Sequence, residues 1–377
     1  MSFFLCVDCG GSKTSAVITD HDGNIVGRAL GGPSNFAYMS LTDFQHAVRT
    51  AVSNALKTCV SPPATEPIPL PVEPGVFASA WFGISGVDSA AAARNAASAI
   101  APLINLPPGP HLTVANDTHL LAAPLRLYND IAHAVTAIAG TGSCVVSFAQ
   151  DASGALVELA RTGGWGWILG DEGGGFHVGR ETIRLMMHDL ARASLGMTPT
   201  PRSNLKEKVL ARFGITGEEN AAEVLPVIHI PEPRPHRSDT SAPESDVAAH
   251  HQIAREKRLS QLSPLVFEAA FQEGDEFALR VLRSCAGALA DQIAMLCLTP
   301  SEDLALKPRG VRPEEAILCF GGSLVGVEAY RELVLDELKK RGCTFRYVEF
   351  VEDAAAVGAV GLAASGLGKK NTDSISS

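Results

Sequence analysis

Short apolar runs parted by glycine turns open the chain. Residues 3–8 are apolar enough for a buried strand, and Gly10-Gly11-Ser12-Lys13 after them is a turn. Residues 14–19 alternate well enough for a second strand, and Asp22-Gly23 turns tightly into a third at 24–30. Three neighbouring strands joined by tight turns predict a β-meander. A loop at Gly31-Gly32-Pro33-Ser34-Asn35 then leads into helical periodicity at 41–59. Six prolines between 61 and 75 make that stretch an irregular connection. A strand at 81–85, an alanine-rich helix at 89–101, a strand at 112–115 and a helix at 118–127 complete this half.

Near residue 134 the pattern restarts. Residues 134–138 read as a strand, Ala139-Gly140-Thr141-Gly142-Ser143 as a turn, and 144–148 as a second strand. Ser153-Gly154 turns into a third at 155–161. Gly11 and Gly23 are 12 residues apart, as are Gly142 and Gly154, so a structural unit recurs without recurrence of its residues. A glycine-rich segment at 163–175 follows, with helices expected at 176–192, 205–213, 253–273 and 276–298. Residues 229–250, rich in Pro, His, Ser and Asp, predict a mobile insertion. A strand at 316–320, Gly321-Gly322-Ser323, a helix at 330–341, a strand at 344–350 and an Ala/Gly-rich helix at 353–367 end the chain. Alternating strands and helices over 377 residues predict an α/β protein of two domains.

Composition narrows the partners. With 41 acidic against 31 basic residues the net charge is −10, which repels nucleic acid, and no Lys/Arg block offsets it. No apolar run reaches the 18 or so residues of a membrane span, and the apolar start lacks a basic flank and cleavage site. Cys6 and Cys9 have Cys-x-x-Cys spacing, yet no second pair completes a zinc site. Scattered free thiols fit a reducing, cytoplasmic compartment.

The two turns carry the candidate chemistry. A glycine hairpin turn brings several backbone N–H groups round to one point and binds phosphate oxygens without net positive charge. Ser12 and Lys13 add a hydroxyl and an ammonium, and Asp8 just before them is placed to hold Mg²⁺. The spacing is not that of a P-loop, and a strand rather than a helix follows. Gly140-Thr141-Gly142-Ser143 has the same logic, and two such turns face to face would clamp a triphosphate. Asn116-Asp117 ends a strand, where α/β sheets place active groups. Asp117 there either accepts a proton from a hydroxyl attacking the γ-phosphate or caps a helix. Asp171-Glu172 among glycines suits sugar hydroxyls or a helix N-terminus, and Asn35 is a reader of hydroxyls or a turn residue.

These stretches, with Gly163-Gly164-Trp165-Gly166, Gly170-Asp171-Glu172-Gly173 and Gly321-Gly322-Ser323, occur in one order over nearly the whole chain. In that order they resemble the BadF/BadG/BcrA/BcrD ATPase family, and within it the N-acetylglucosamine kinase type. The resemblance implies two actin-like ATPase (ribonuclease H-like) domains, each a mixed five-stranded sheet with helices, and a cleft between them. Residues 1–118 with 353–377 would form one domain and 119–352 the other. It implies ATP with Mg²⁺ at Asp8, nucleotide contacts from Gly10, Gly11, Ser12, Lys13, Gly140, Thr141, Gly142, Ala270, Gly321 and Gly322, and Asp117 as catalytic base. Asn35, Asn116, Asp117, Gly164, Trp165 and Asp171 would bind an amino sugar. The expected reaction is phosphorylation of N-acetyl-D-glucosamine at its 6-hydroxyl. The alternatives are a glucosamine kinase and a regulatory protein that binds nucleotide and sugar without transfer. The family's acyl-CoA dehydratase activases bridge an iron–sulfur cluster with cysteines, and no Cys motif follows Asp171-Glu172 here. A homodimer is left open, and the stretches at 61–75 and 229–250 depart from the family pattern and would shape the cleft rim or a partner surface.

Overall fold

The computed structural model describes residues 2–11, 13–151, 156–197, 201–231, 253–299, 302 and 305–373, with 365–373 as backbone alone. The first half runs β1 (Phe3–Cys9), β2 (Thr14–Thr19), β3 (Ile25–Gly31), α1 (Leu41–Ala55), β4 (Phe77–Ile84), α2 (Ala90–Ile104), β5 (Leu112–Ala115) and α3 (Thr118–Leu121). The second runs β6 (His133–Ala139), β7 (Ser143–Gln150), β8 (Leu156–Gly163), α4 (Gly175–Ser194), α5 (Asn204–Arg212), α6 (Val224–Ile228), α7 (Arg255–Ser260), α8 (Ser263–Phe271) and α9 (Glu276–Leu296). It closes with β9 (Ala316–Gly321), α10 (Glu328–Lys340), β10 (Tyr347–Phe350) and α11 (Ala354–Asp373).

Two five-stranded mixed sheets result, ordered β3-β2-β1-β4-β5 and β10-β9-β6-β7-β8. In each, a meander of three antiparallel strands is extended by two parallel ones. The second order is the first read from its other end, so the recurrence seen in the turns is one of topology. The Ser153-Gly154 turn itself lies outside the described residues.

Side-chain alternation sorts β1 between two layers. Leu5, Val7 and Cys9 join the core under α1, with Phe44, Val48, Ala51 and Val52 at helical spacing. Cys6 points the other way, into a cluster with Trp81, Leu120, Ala355 and Ala359. Cys6 and Cys9 therefore serve different cores, and no group of three or more potential metal-ligating side chains exists among the described residues. The helix α11 returns to the first sheet: a Cβ on Gly358 would stand 2.5 Å from Cys6 Sγ, and Thr19 Oγ1 donates to the Ala359 carbonyl at 3.2 Å. The second core is built by β6, β7 and β9 against α4, α8 and α9, with Val135, Val145, Leu289, Ile293 and Phe320 fully buried.

Three expected helices differ. The helix expected at 41–59 ends at Ala55 in a 3₁₀ turn, Leu56–Thr58, because β3 crosses it; a Cβ on Gly27 would lie 2.2 Å from the Ala55 carbonyl oxygen. The one at 118–127 stops at Leu121, and Pro124 sits in the 3₁₀ segment after it. The one at 253–273 breaks into α7 and α8, with Pro264 in the first turn of α8. The proline-rich stretch is irregular and pinned to α1: Arg49 donates to the Leu70 carbonyl at 2.6 Å, and Leu70 and Val72 are buried in the first core. Of the expected insertion, 232–250 lie outside the described residues, while Arg258 bonds the carbonyls of Ile230 and Pro231 at its base. No helix among the described residues is long and apolar enough to cross a membrane.

Candidate active site

The C-terminal ends of β1, β4 and β5 bring one group of polar residues together. Asp8 pairs in register with Ser15 of β2 and Gly83 of β4. Gly10 N–H then donates to the Lys13 carbonyl at 2.9 Å, closing the first turn. Ser12 lies outside the described residues. The loop behind the turn is tied to it, since Ser34 N–H donates to the Gly10 carbonyl at 2.9 Å and the Thr14 and Ser34 hydroxyls are 2.7 Å apart. A Cβ added to Gly11 would meet nothing within 4 Å, so this turn is an open cradle.

Asn116 and Asp117 divide the work expected of either. Asn116 Oδ1 accepts from Thr118 N at 3.1 Å and from Thr118 Oγ1 at 2.8 Å, so Asn116 ties down the start of α3. Asp117 stands at the N-cap position, yet its side chain makes no capping bond. The Ser85 side chain lies close enough to favour the ionised form of its carboxylate. Ser85 Oγ in turn accepts from Asn35 Nδ2 at 3.1 Å, while Asn35 Oδ1 receives the Ala37 N–H at 3.0 Å in an Asx turn. Asn35 and Ser85 are thus bonded to one another beside Asp117. The backbone that carries them is crowded: a Cβ on Gly86, where φ is +83°, would lie 2.6 Å from Asn35 Oδ1.

The second group gathers around the other turn. Gly140 N–H donates to the Gly142 carbonyl, and the 171–176 segment folds onto it: Gly175 N–H reaches the Gly140 carbonyl at 2.8 Å and Phe176 N–H the Thr141 carbonyl at 3.0 Å. Asp171 has φ of +61°, and its carboxylate accepts from Ser143 N at 3.3 Å. Ser143 Oγ donates to the Glu172 carbonyl at 2.7 Å, and the buried Tyr330 hydroxyl pins the Gly173 carbonyl at 2.9 Å. Gly322, at φ +99°, brings the 321–323 loop onto the end of β6, where Leu324 N–H bonds the Ala139 carbonyl. Gly164 N–H bonds the Ser143 carbonyl at 2.9 Å, so the 163–170 loop springs from the same point. Trp165 on that loop is 63% exposed and packs only its near edge over Gly170. Ala270 is buried on α8 in the second core, so its side chain faces helices.

Charge is concentrated at Asp117. Burial, then the neighbouring Asp117 carboxylate, lifts Asp8 to about 6 against the pull of Lys13. Burial likewise raises Asp117, which Asp88 pushes further up and Arg161 pulls down. Cys144 of β7 feels Arg161 and Asp117 as well, so the second sheet faces the first group. Ser85, Asp88 and Arg161 were absent from the sequence-based set. Only Arg161, two residues ahead of Gly163-Gly164, stood near a motif that would have drawn notice.

Comparison with known proteins places the chain in a family. The N-acetyl-D-glucosamine kinase of Dictyostelium discoideum is 25% identical over 290 residues, 77% of each chain. A crystal structure from Porphyromonas gingivalis, provisionally described as an N-acetylglucosamine kinase, superposes with a TM-score of 0.59 at 19% identity, covering 97% of this chain and 99% of that one. A second of the same provisional description, from Chromobacterium violaceum, gives 0.58 at 22% identity over 96% and 99%. A family model matches residues 5–365, and the chain belongs to the BadF/BadG/BcrA/BcrD ATPase family.

Proposed function

We propose that this protein transfers the γ-phosphoryl group of ATP to the 6-hydroxyl of N-acetyl-D-glucosamine, with Asp117 as general base. One observation carries the assignment of the base. Asp117 occupies a cap position without capping, and its half-buried carboxylate is left near Ser85 and Asp8. A base is most effective when its pKa approaches the working pH, and burial raises that of Asp117 in this direction. The substrate follows from the likeness to the Dictyostelium discoideum N-acetyl-D-glucosamine kinase.

The sugar hydroxyl loses its proton to an Asp117 carboxylate oxygen as its own oxygen forms the bond to the γ-phosphorus and the bond to ADP breaks. Backbone N–H groups of the turns at Gly10–Gly11 and Gly140–Gly142, with the Lys13 ammonium, stabilise the phosphate oxygens. Asn35, Asn116, Gly164, Trp165 and Asp171 orient the sugar. Gly321 and Gly322 flank the nucleotide, and Ala270 supports the helix beneath it.

Mg²⁺ fits this donor set. It is held by one or two carboxylates together with phosphates and waters, and the half-buried Asp8, pressed by a second carboxylate, would be relieved by a cation. Bound there, Mg²⁺ would neutralise charge on the β- and γ-phosphates. A cytoplasmic setting matches both substrates. The direct test is ³¹P and ¹³C NMR of the product formed from ATP and N-acetyl-D-glucosamine. Phosphorus coupling to carbon 6 is expected, and coupling at carbon 1 would refute the regiochemistry. Asp117→Asn should lose about 10²- to 10⁴-fold in kcat with sugar binding retained.

A further inference from the structure

Arg161 lies on β8, the edge strand of the second sheet, and reaches across to the first. Its Nη1 donates to Asp88 Oδ1 at 3.3 Å, in the loop between β4 and α2. The same oxygen accepts from Asn116 Nδ2 at 2.9 Å, and Asn116 Oδ1 holds Thr118 N–H and its hydroxyl. The chain of bonds therefore runs from β8 to the residues on both sides of Asp117. The other guanidinium arm reaches Glu158 at 3.4 Å, and Glu158 stands 3.8 Å from His119 Nε2. A cavity of about 490 Å³ opens here, lined by Asp88, Asn116, His119, Glu158 and Arg161 among others.

As a stability element this pair counts for little. The Asp88 side chain is 61% exposed, and exposed ion pairs contribute at most about 1 kcal/mol. Its place matters more, because it is anchored one residue from the base. We propose that Arg161 is a positioning residue for the transfer step: from the second sheet it holds Asp88, and through Asp88 the Asn116 amide, and so fixes where the Asp117 carboxylate points. The proposal rests on Asp117 being the base. The charged groups that act on Asp117 are Asp8 from β1, Asp88 from the β4–α2 loop and Arg161 from β8, and the Ser85 side chain and Thr118 backbone beside it favour its ionised form. Lys13 acts on Asp8. Arg161 is thus the cation that offsets two neighbouring carboxylates at this point.

Two substitutions separate this role from simple damage. Arg161→Met removes the cation, so the acid limb of kcat/KM for the sugar should move up by roughly one pH unit. Its kcat at the optimum should fall about 10-fold or more, while KM for ATP stays within about twofold. Asp88→Asn keeps a hydrogen-bonding group but removes an anion, so its acid limb should move down. Arg161→Lys should recover most of the activity and the wild-type limb. Opposite displacements by the two variants are beyond a merely structural role. An unmoved limb in both, or Arg161→Met raising only the sugar KM, would overturn the proposal. If Arg161→Met fails to fold, the displacement in Asp88→Asn decides alone. Full turnover by Asp117→Asn would instead defeat the reading of the base, which keeps the two failures distinct.

Discussion

Gly11 gives the sharpest test of the phosphate cradle, because protein packing supplies no reason for a glycine there. A Cβ at this position would meet nothing within 4 Å, and Gly11 is not among the residues with positive φ. Alanine costs the folded state nothing and restricts the unfolded chain. Gly11→Ala should therefore leave stability unchanged or raise it by about 0.4–1 kcal/mol, a rise in Tm of at most about 3 °C. If the empty space is where phosphate oxygens approach the backbone, the methyl group blocks one or two hydrogen bonds to a charged ligand. At about 1.5–3 kcal/mol for such a bond, kcat/KM for ATP should fall roughly 10- to 100-fold. The sugar KM should hardly move. Thermal melts and initial rates of coupled ADP release, with each substrate varied in turn, measure all three quantities. Full ATP efficiency in a Gly11→Ala protein of normal Tm would refute the assignment of this turn to phosphate.

Gly174→Ala should behave in the opposite way: its Cβ would stand 2.7 Å from the backbone carbonyl of Gly142, so a loss of about 1–3 kcal/mol is expected in denaturant unfolding, together with weaker ATP binding. Asp8→Asn should abolish turnover yet stabilise the protein at pH 8. The folded-state pKa of Asp8, about 6, lies above its unfolded value of 3.8, so the carboxyl group is easier to bury protonated, and its cost to stability grows as pH rises between these values and is fully present above 6. The gain should be on the order of 2 kcal/mol at pH 8 and vanish near pH 4; a Tm difference independent of pH would contradict the cause given. Asn35→Ala frees Ser85 as well as losing the Asx turn, so the sugar KM should rise by about 10-fold with the ATP KM unchanged in the same rate assay.

Local patterns were legible where a local rule decides. The two meanders, the turns at Gly10–Gly11, Asp22-Gly23 and Ala139–Ser143, and β5 at 112–115 follow from alternation and turn residues, which act over a few positions. Helix ends that depend on distant backbone were not: α1 stops where β3 crosses it at Gly27, a contact no window of residues contains. The split between α7 and α8 had a local sign in Pro264, outweighed by the apolar pattern on either side. Asp117 was marked by its place at a strand end, but cap and base were indistinguishable until Asn116 proved to bind Thr118. Arg161 was illegible as part of the site, because its partner Asp88 is 73 residues away, in a loop that follows a strand of the other sheet.

An ATP-dependent amino-sugar kinase must release ADP only when a sugar acceptor is present. Coupled ADP release, measured with N-acetylglucosamine, glucosamine, N-acetylmannosamine and glucose under one set of conditions, tests it most directly. Sugar-dependent release is expected, with N-acetylglucosamine the best acceptor by kcat/KM. Release with none of the four above the sugar-free rate would contradict it.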